Sequence, residues 1–413
     1  PLLLAAMGGP QSVLGWVVGA ILVGCDGLVW SELGAALPGS GGSYRFLREA
    51  YGAERWGKLM AFLFIWQFVL SGPLEIASGL IGFASYAGYL VPNMSPWQQR
   101  LLAAGVGLLA TLAIARKTSG LGKLTLLLSA GTALTMAVIL GTGAVHFDAQ
   151  RAFDFPPNAF ELGPRFFLGL GGATLISTYD YLGYYDICYL GDEVKEPSRV
   201  IPRAILGSIA ICAVAYLGIY LAVIGVVPWR EAMSSHFVVS DFMQRLHGRT
   251  AAIALTLAVL WTAFASVFAL LVGYSRVPYA AARDGYFFRA FSRVHPTQGF
   301  PDLSLYVLAA ISVVAACFDL SQVVSALITT RILVQFVGQV FALPLLRKRL
   351  PPEQRPFKMW LYPAPAGIAF FGWLYVFFTS GWASASVGRL TLLGGFGAFL
   401  VWSRRAESWP FAK

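Results

Sequence analysis

Apolar residues along this chain do not alternate with polar ones. They gather in runs long enough to cross a bilayer, and the polar residues collect between them. The runs fall at about 12–36, 58–91, 98–115, 121–145, 164–190, 203–228, 250–280, 303–318, 321–346, 359–379 and 388–403, after an apolar stub at 1–8. A helix rising 1.5 Å per residue needs about 20 residues to span a hydrocarbon core of about 30 Å. The pattern predicts about twelve transmembrane helices, the first of them incomplete. A transmembrane barrel would show period-two alternation. Each span in lipid has to satisfy its own backbone hydrogen bonds, which a helix does. The expected class is an all-α polytopic membrane protein. The longest polar connections, 146–163, 229–249 and 281–302, hold no low-complexity run, so 1–413 reads as one transmembrane unit. It opens on Pro1 inside an apolar run and reads as N-terminally truncated.

Composition agrees with the pattern. Of 413 residues, 57% are hydrophobic and 12% charged, half the roughly 25% charged residues of soluble domains. The net charge of +10 does not point to nucleic acid, because the cations alternate by segment. With the stub running outward, 22 of the 30 Lys and Arg fall on one side, 7 on the other, and Arg331 lies inside a span. The basic side includes Arg116, Lys117 and Lys123, and at the end of the chain Arg404, Arg405 and Lys413. The positive-inside rule makes that side, and the C-terminus, cytoplasmic, in a plasma or inner membrane. Cys25, Cys188, Cys212 and Cys317 have no paired spacing, and the four histidines are far apart in sequence. No catalytic residue, metal site or cofactor is expected, and the chain is not read as an enzyme.

Charges at membrane depth are costly and mark function by default. Asp26 and Glu32 lie in the 12–36 run, Glu75 in 58–91, Asp180 and Asp186 in 164–190, and Arg331 in 321–346. Glu32 reads as a solvated helix end. Glu75, just after Pro73, is either an ion paired with Arg331 or a group that titrates or faces a cationic ligand. The stretch STYDYLGYYDICYLGDE at 177–193 carries five tyrosines and four acids. Tyr179 and Asp180 lie about 15 residues from the interfacial Lys195, roughly 20 Å along a helix, near the bilayer middle. Tyr189 is close enough to the surface to join an aromatic belt. Gly183 and the GLGG at 169–172 weaken the helix. A break is expected at 178–184, and broken midplane helices form the sites of many secondary transporters.

Four polar segments carry a resemblance. GDEVKEPSRVIPRAI (191–205), SELGAALPGSGGSYRFLREAYG (31–52), SRVPYAAARDGYFFRAFSRVHPTQGFP (275–301) and RPFKMWLYPAPAG (355–367) stand in order on the basic side. Together they resemble the loops of amino acid–polyamine–organocation (APC) permeases. The resemblance implies a five-plus-five inverted repeat, with 1–145 as the first repeat, 164–346 as the second and two further helices at 359–403. It implies a secondary active transporter of amino acids working by alternating access. The family's carboxylate-receiving Gly-Ser-Gly motif is absent; the chain begins just after its place. By carry-over, Tyr179 is the gating aromatic, and the backbone of Asp180, Tyr181, Leu182 and Gly183 meets the substrate amino group. Tyr184 stands where many members have tryptophan. Glu75, Asp186 and Arg331 are candidates for coupling or substrate charge, and Thr262 and Ser266 for hydroxyl contacts. The implied partners are an amino acid, the lipid bilayer and a proton or sodium as coupling ion. The mid-helix lysine that replaces sodium in some relatives has no counterpart, since Lys123 lies at the start of its helix. The alternatives are a polyamine or cationic amino acid transporter or exchanger, and a non-transporting nutrient sensor.

Overall fold

The computed structural model describes residues 1–39, 41–115 and 121–411; Arg116, Lys117 and Lys413 of the basic side lie outside the described residues. Regular structure among the described residues is helical. A short α1 (Leu2–Met7) passes through a turn at Pro10–Ser12 into α2 (Val13–Ala36). An interfacial α3 (Ser43–Tyr51) precedes α4 (Trp56–Leu90), α5 (Pro96–Ile114) and α6 (Leu121–Val145). Next come a single turn, α7 (Ala149–Ala152), and α8 (Pro164–Tyr181), followed by 3-10 turns at Asp186–Tyr189 and Gly191–Glu193. The chain continues through α9 (Pro197–Val226), α10 (Trp229–Ser234), α11 (Val238–Tyr274), α12 (Arg276–Arg283) and α13 (Asp302–Ala315). A π turn at Ile332–Val337 joins α14 (Leu320–Arg331) to α15 (Gly338–Arg349), and α16 (Ala364–Thr379) and α17 (Trp382–Arg405) complete the bundle.

Seven described helical stretches are long and apolar enough to cross a membrane. The chain is an all-α, multi-spanning membrane protein. Burial sorts the helices into layers: α4 and the α14–α15 unit are 72% and 78% buried over their most apolar windows, α6 and α17 only 17% and 22%. The first pair forms the centre and the second faces lipid with Leu126, Leu134, Leu390 and Leu393 exposed. Lipid offers no hydrophobic drive for helices to associate, so close backbone approach takes its place. A β-carbon on Gly15 would lie 2.6 Å from that of Ala173, and one on Gly19 would lie 2.2 Å from Ser177 Oγ. These two glycines, one turn apart, seat α2 directly on α8, and Ser177 Oγ donates to Gly15 O at 2.7 Å.

Some boundaries differ from the hydropathy runs. The run at 164–190 is α-helical only to Tyr181. The 250–280 run belongs to a helix that starts at Val238, bends at Gly248 (φ 80°) and ends at Tyr274. The 359–379 run is helical only from Ala364. Pro73 sits within α4, which continues to Leu90.

Glu32 is not a solvated helix end. Its side chain is fully buried, and Arg347 grips it with a fork, Nε to Oε1 at 2.8 Å and Nη2 to Oε2 at 2.6 Å. Arg355 Nη1 approaches at 3.5 Å, and the Met359 amide donates to Oε2 at 2.8 Å. These partners lie more than 300 positions away, so no local pattern announces them. Removing one partner of a buried ion pair costs about 3–5 kcal/mol. Glu32→Ala is expected to lower the melting temperature in detergent far more than Glu353→Ala, whose side chain is exposed. Equal shifts would mean that the fork adds no stability.

Candidate functional site

The C-terminal end of α8 unwinds at a defined point. Leu182 N–H bonds to Tyr179 O at 3.1 Å, and the next residue, Gly183, takes φ 101°, which a β-carbon disfavours. Asp186 N–H then bonds to Gly183 O at 3.0 Å, and the chain proceeds in 3-10 turns. Beside this break lies a cavity of about 380 Å³. The break contributes Tyr179, Asp180, Leu182, Gly183 and Asp186; α4 adds Glu75, Ser78 and Gly79; α9 adds Tyr216; α11 adds Ala263, Ser266, Ala269 and Leu270. A larger groove of about 560 Å³ between α6 and α11 is almost wholly apolar and has no titratable side chain in its lining. The chemistry therefore concentrates in the smaller cavity.

Hydrogen bonds fix its walls. Tyr179 Oη and Ser78 Oγ lie 2.6 Å apart, tying the last turn of α8 to α4. Glu75 Oε2 accepts from Arg331 Nη1 at 2.7 Å and from Tyr274 Oη at 2.7 Å. Arg331 has no solvent exposure, and it also donates to Tyr185 Oη at 2.9 Å and Ser71 Oγ at 3.2 Å. The rings of Phe68 and Tyr274 lie 5.7 and 5.6 Å from its guanidinium carbon. Of the two readings of Glu75, ion pairing with Arg331 is present, and the carboxylate still borders the cavity. Asp186 Oδ1 is buried with no hydrogen-bond partner among the described residues. Three carboxylates thus border a space whose nearby guanidinium stands behind one of them.

Of the other expected site residues, Ser266 lines the cavity and the rest point elsewhere. Tyr181 is buried in an edge-on ring contact with Trp16 (5.7 Å between centroids), and its hydroxyl donates to Trp16 O at 3.4 Å. Tyr184 donates to Asp26 Oδ2 at 2.5 Å, and Trp373 Nε1 donates to Oδ1 at 3.2 Å, so Tyr184 braces the break against α2 and α16. Thr262 is half-buried and bonds back to Ala258 O at 3.0 Å, while Ser266 one turn on reaches the cavity. Tyr189 is not an interfacial belt residue: it is 2% exposed and packs among Trp30, Phe68, Tyr185 and Tyr274. Ser78, Tyr216 and Tyr274 go unnoticed in the sequence, and Tyr185, one of the five tyrosines at 177–193, is given no role there. For Ser78 a signal existed, since it lies three positions after Glu75 on the same helix face.

Sequence comparison places this multi-spanning helical chain in a family. The profile of the family described as Amino acid permease matches residues 2–391. The chain belongs to the amino acid permease family. Its relatives include the serine/threonine exchanger SteT of Bacillus subtilis (strain 168), 26% identical over 375 residues that cover 89% of this chain and 82% of that protein. The Asc-type amino acid transporter 1 of Homo sapiens is 27% identical over 406 residues, 94% of this chain and 74% of its own. The branched-chain amino acid permease BcaP of Bacillus subtilis (strain 168) is 23% identical over 411 residues, 97% and 87% of the two chains. This amino acid permease is therefore an APC-type membrane transporter and belongs to a non-catalytic class.

The buried pair supplies a test. Glu75→Gln leaves a guanidinium unpaired, and Arg331→Met leaves a carboxylate unpaired, each at about 3–5 kcal/mol. Each single change is expected to lower the melting temperature strongly, and the double change by clearly less than the sum. Additive losses would mean that the two groups do not act as a pair.

Proposed function

We propose that this permease moves an amino acid across the membrane by alternating access, and that the cavity at the α8 break holds the substrate. The observation that carries the reading is the break itself. A helix stops at Tyr181, a left-handed glycine follows, and the freed backbone borders a polar space at the bundle centre. Half-helix ends and unwound backbone at such points meet the charged ends of substrates. In this reading the backbone from Asp180 to Gly183 receives the substrate ammonium, and Tyr179 closes over it by exchanging its bond to Ser78. Ser266 offers a hydroxyl, and Thr262 supports it from the turn before. Tyr181 and Tyr184 hold the break from outside the cavity, and Arg331 holds Glu75 in place.

The same reading takes the fold as a five-plus-five inverted repeat of about twelve spans, 1–145 and 164–346, with 359–403 appended. It draws support from the two most extensive helix pairings, α2 with α9 and α4 with α11, which join the corresponding second and third helices of the two halves. The bias of Lys and Arg supports a cytoplasmic C-terminus in a plasma or inner membrane. Glu75, Asp186 or both would carry a coupling proton or accept sodium. A second reading, a cationic amino acid or polyamine as substrate, is favoured by the three carboxylates on the cavity.

Purified protein in liposomes is expected to take up at least one labelled amino acid. Folded protein that moves no amino acid and no polyamine would refute the proposal, and competition of arginine and putrescine against leucine separates the two readings. Gly183→Ala forces a β-carbon into a left-handed conformation at about 1–3 kcal/mol and is expected to cut uptake roughly tenfold. Tyr179→Ala is expected to impair uptake more than Tyr181→Phe. Loss through Tyr181 with Tyr179 neutral would place the substrate elsewhere.

A further inference from the structure

At the basic end of α9 the surface holds a recess of about 430 Å³, separate from the transport cavity. Ser198, Arg199, Arg203 and Leu206 line one side, and Phe357 and Trp360, from the segment before α16, line the other. We propose that this recess binds an anionic phospholipid, headgroup at the arginines and one acyl chain along α9.

The charge is available. Arg203 is exposed and pairs with no carboxylate among the described residues. Among the described residues Arg199 pairs with Glu196 alone, at 3.7 Å, with both side chains more than 70% exposed, a contact worth little in stability. Asp192, Glu193 and Glu353 precede the two lining segments in sequence, but none of them is among the described residues that line the recess, and Lys195 and Lys358 flank it in sequence with exposed side chains. The positive end of the 30-residue α9 dipole adds to the field.

The surroundings of the recess are those expected at headgroup depth. Trp360, Leu361 and Tyr362 are exposed at 62%, 84% and 38%, in the manner of an interfacial aromatic cluster. From Arg203 the same face of α9 runs through Gly207, where a β-carbon would meet nothing within 4 Å, to Ile211 and Val214, exposed at 71% and 74%. Arginines at the rim, an aromatic at the interface and an open aliphatic track below them match one phospholipid. A soluble phosphate compound would leave the apolar half of the recess and the track uncovered.

The test uses the full chain in detergent, titrated with palmitoyl-oleoyl phosphatidylglycerol or phosphatidylcholine and read by native mass spectrometry. Phosphatidylglycerol is expected to be retained in preference to phosphatidylcholine. Arg199→Gln/Arg203→Gln should lower its affinity by about tenfold to thirtyfold, while Arg404→Gln/Arg405→Gln at another basic end should not. Gly207→Leu fills the track and keeps both arginines, so it should weaken the lipid without unfolding the protein, checked by the melting temperature. Equal retention of the two lipids, equal effects of the two arginine pairs, or no effect of Gly207→Leu would each overturn the proposal. Displacement of the lipid by millimolar inorganic phosphate would overturn it too, marking a free-phosphate site.

Discussion

A guanidinium with no exposure in the middle of a membrane bundle constrains everything near it. The charge of Arg331 would cost several kcal/mol in so apolar a place without a counter-charge and hydrogen-bond acceptors beside it. Glu75 supplies the counter-charge from α4, Ser71 a hydroxyl one turn earlier, and Tyr185 a phenol from beyond the α8 break. Three segments distant in sequence therefore meet at one cation. It sits at the last residue of α14, where the helix widens into a π turn, a feature often found at functional positions.

That cation is one of the anchors that place the break. Before it, the Gly15 and Gly19 surface of α2 grips α8 through Ala173 and Ser177. After it, Tyr184 is bonded to Asp26 and Tyr185 to Arg331. Leu182, which packs against the core, and Gly183 lie between two anchored ends.

α2 is the common support. One of its faces seats α8, Asp26 receives Tyr184 and Trp373, and Glu32 receives Arg347, Arg355 and the Met359 amide. The carboxylate–guanidinium fork at Glu32 is stronger than the bonds from neutral donors at Asp26, since paired charges with two parallel bonds exceed single ones.

Hydropathy alone is enough to read an all-α, multi-spanning chain, the rarity of charges in its apolar runs and the weak point around Gly183. These depend on composition along one axis, which hydropathy reads directly. It also located Glu75 and Arg331 as intramembrane ions. Tertiary structure alone decided direction around each helix. A span that is apolar on every side carries little rotational signal, because lipid and protein interior both accept the same residues. So Tyr184 and Tyr181, neighbours of Gly183, turn away from the cavity, and Tyr189 lies in the core rather than at the surface. So also Glu32 found partners more than 300 positions away, which no pattern within its own helix could encode.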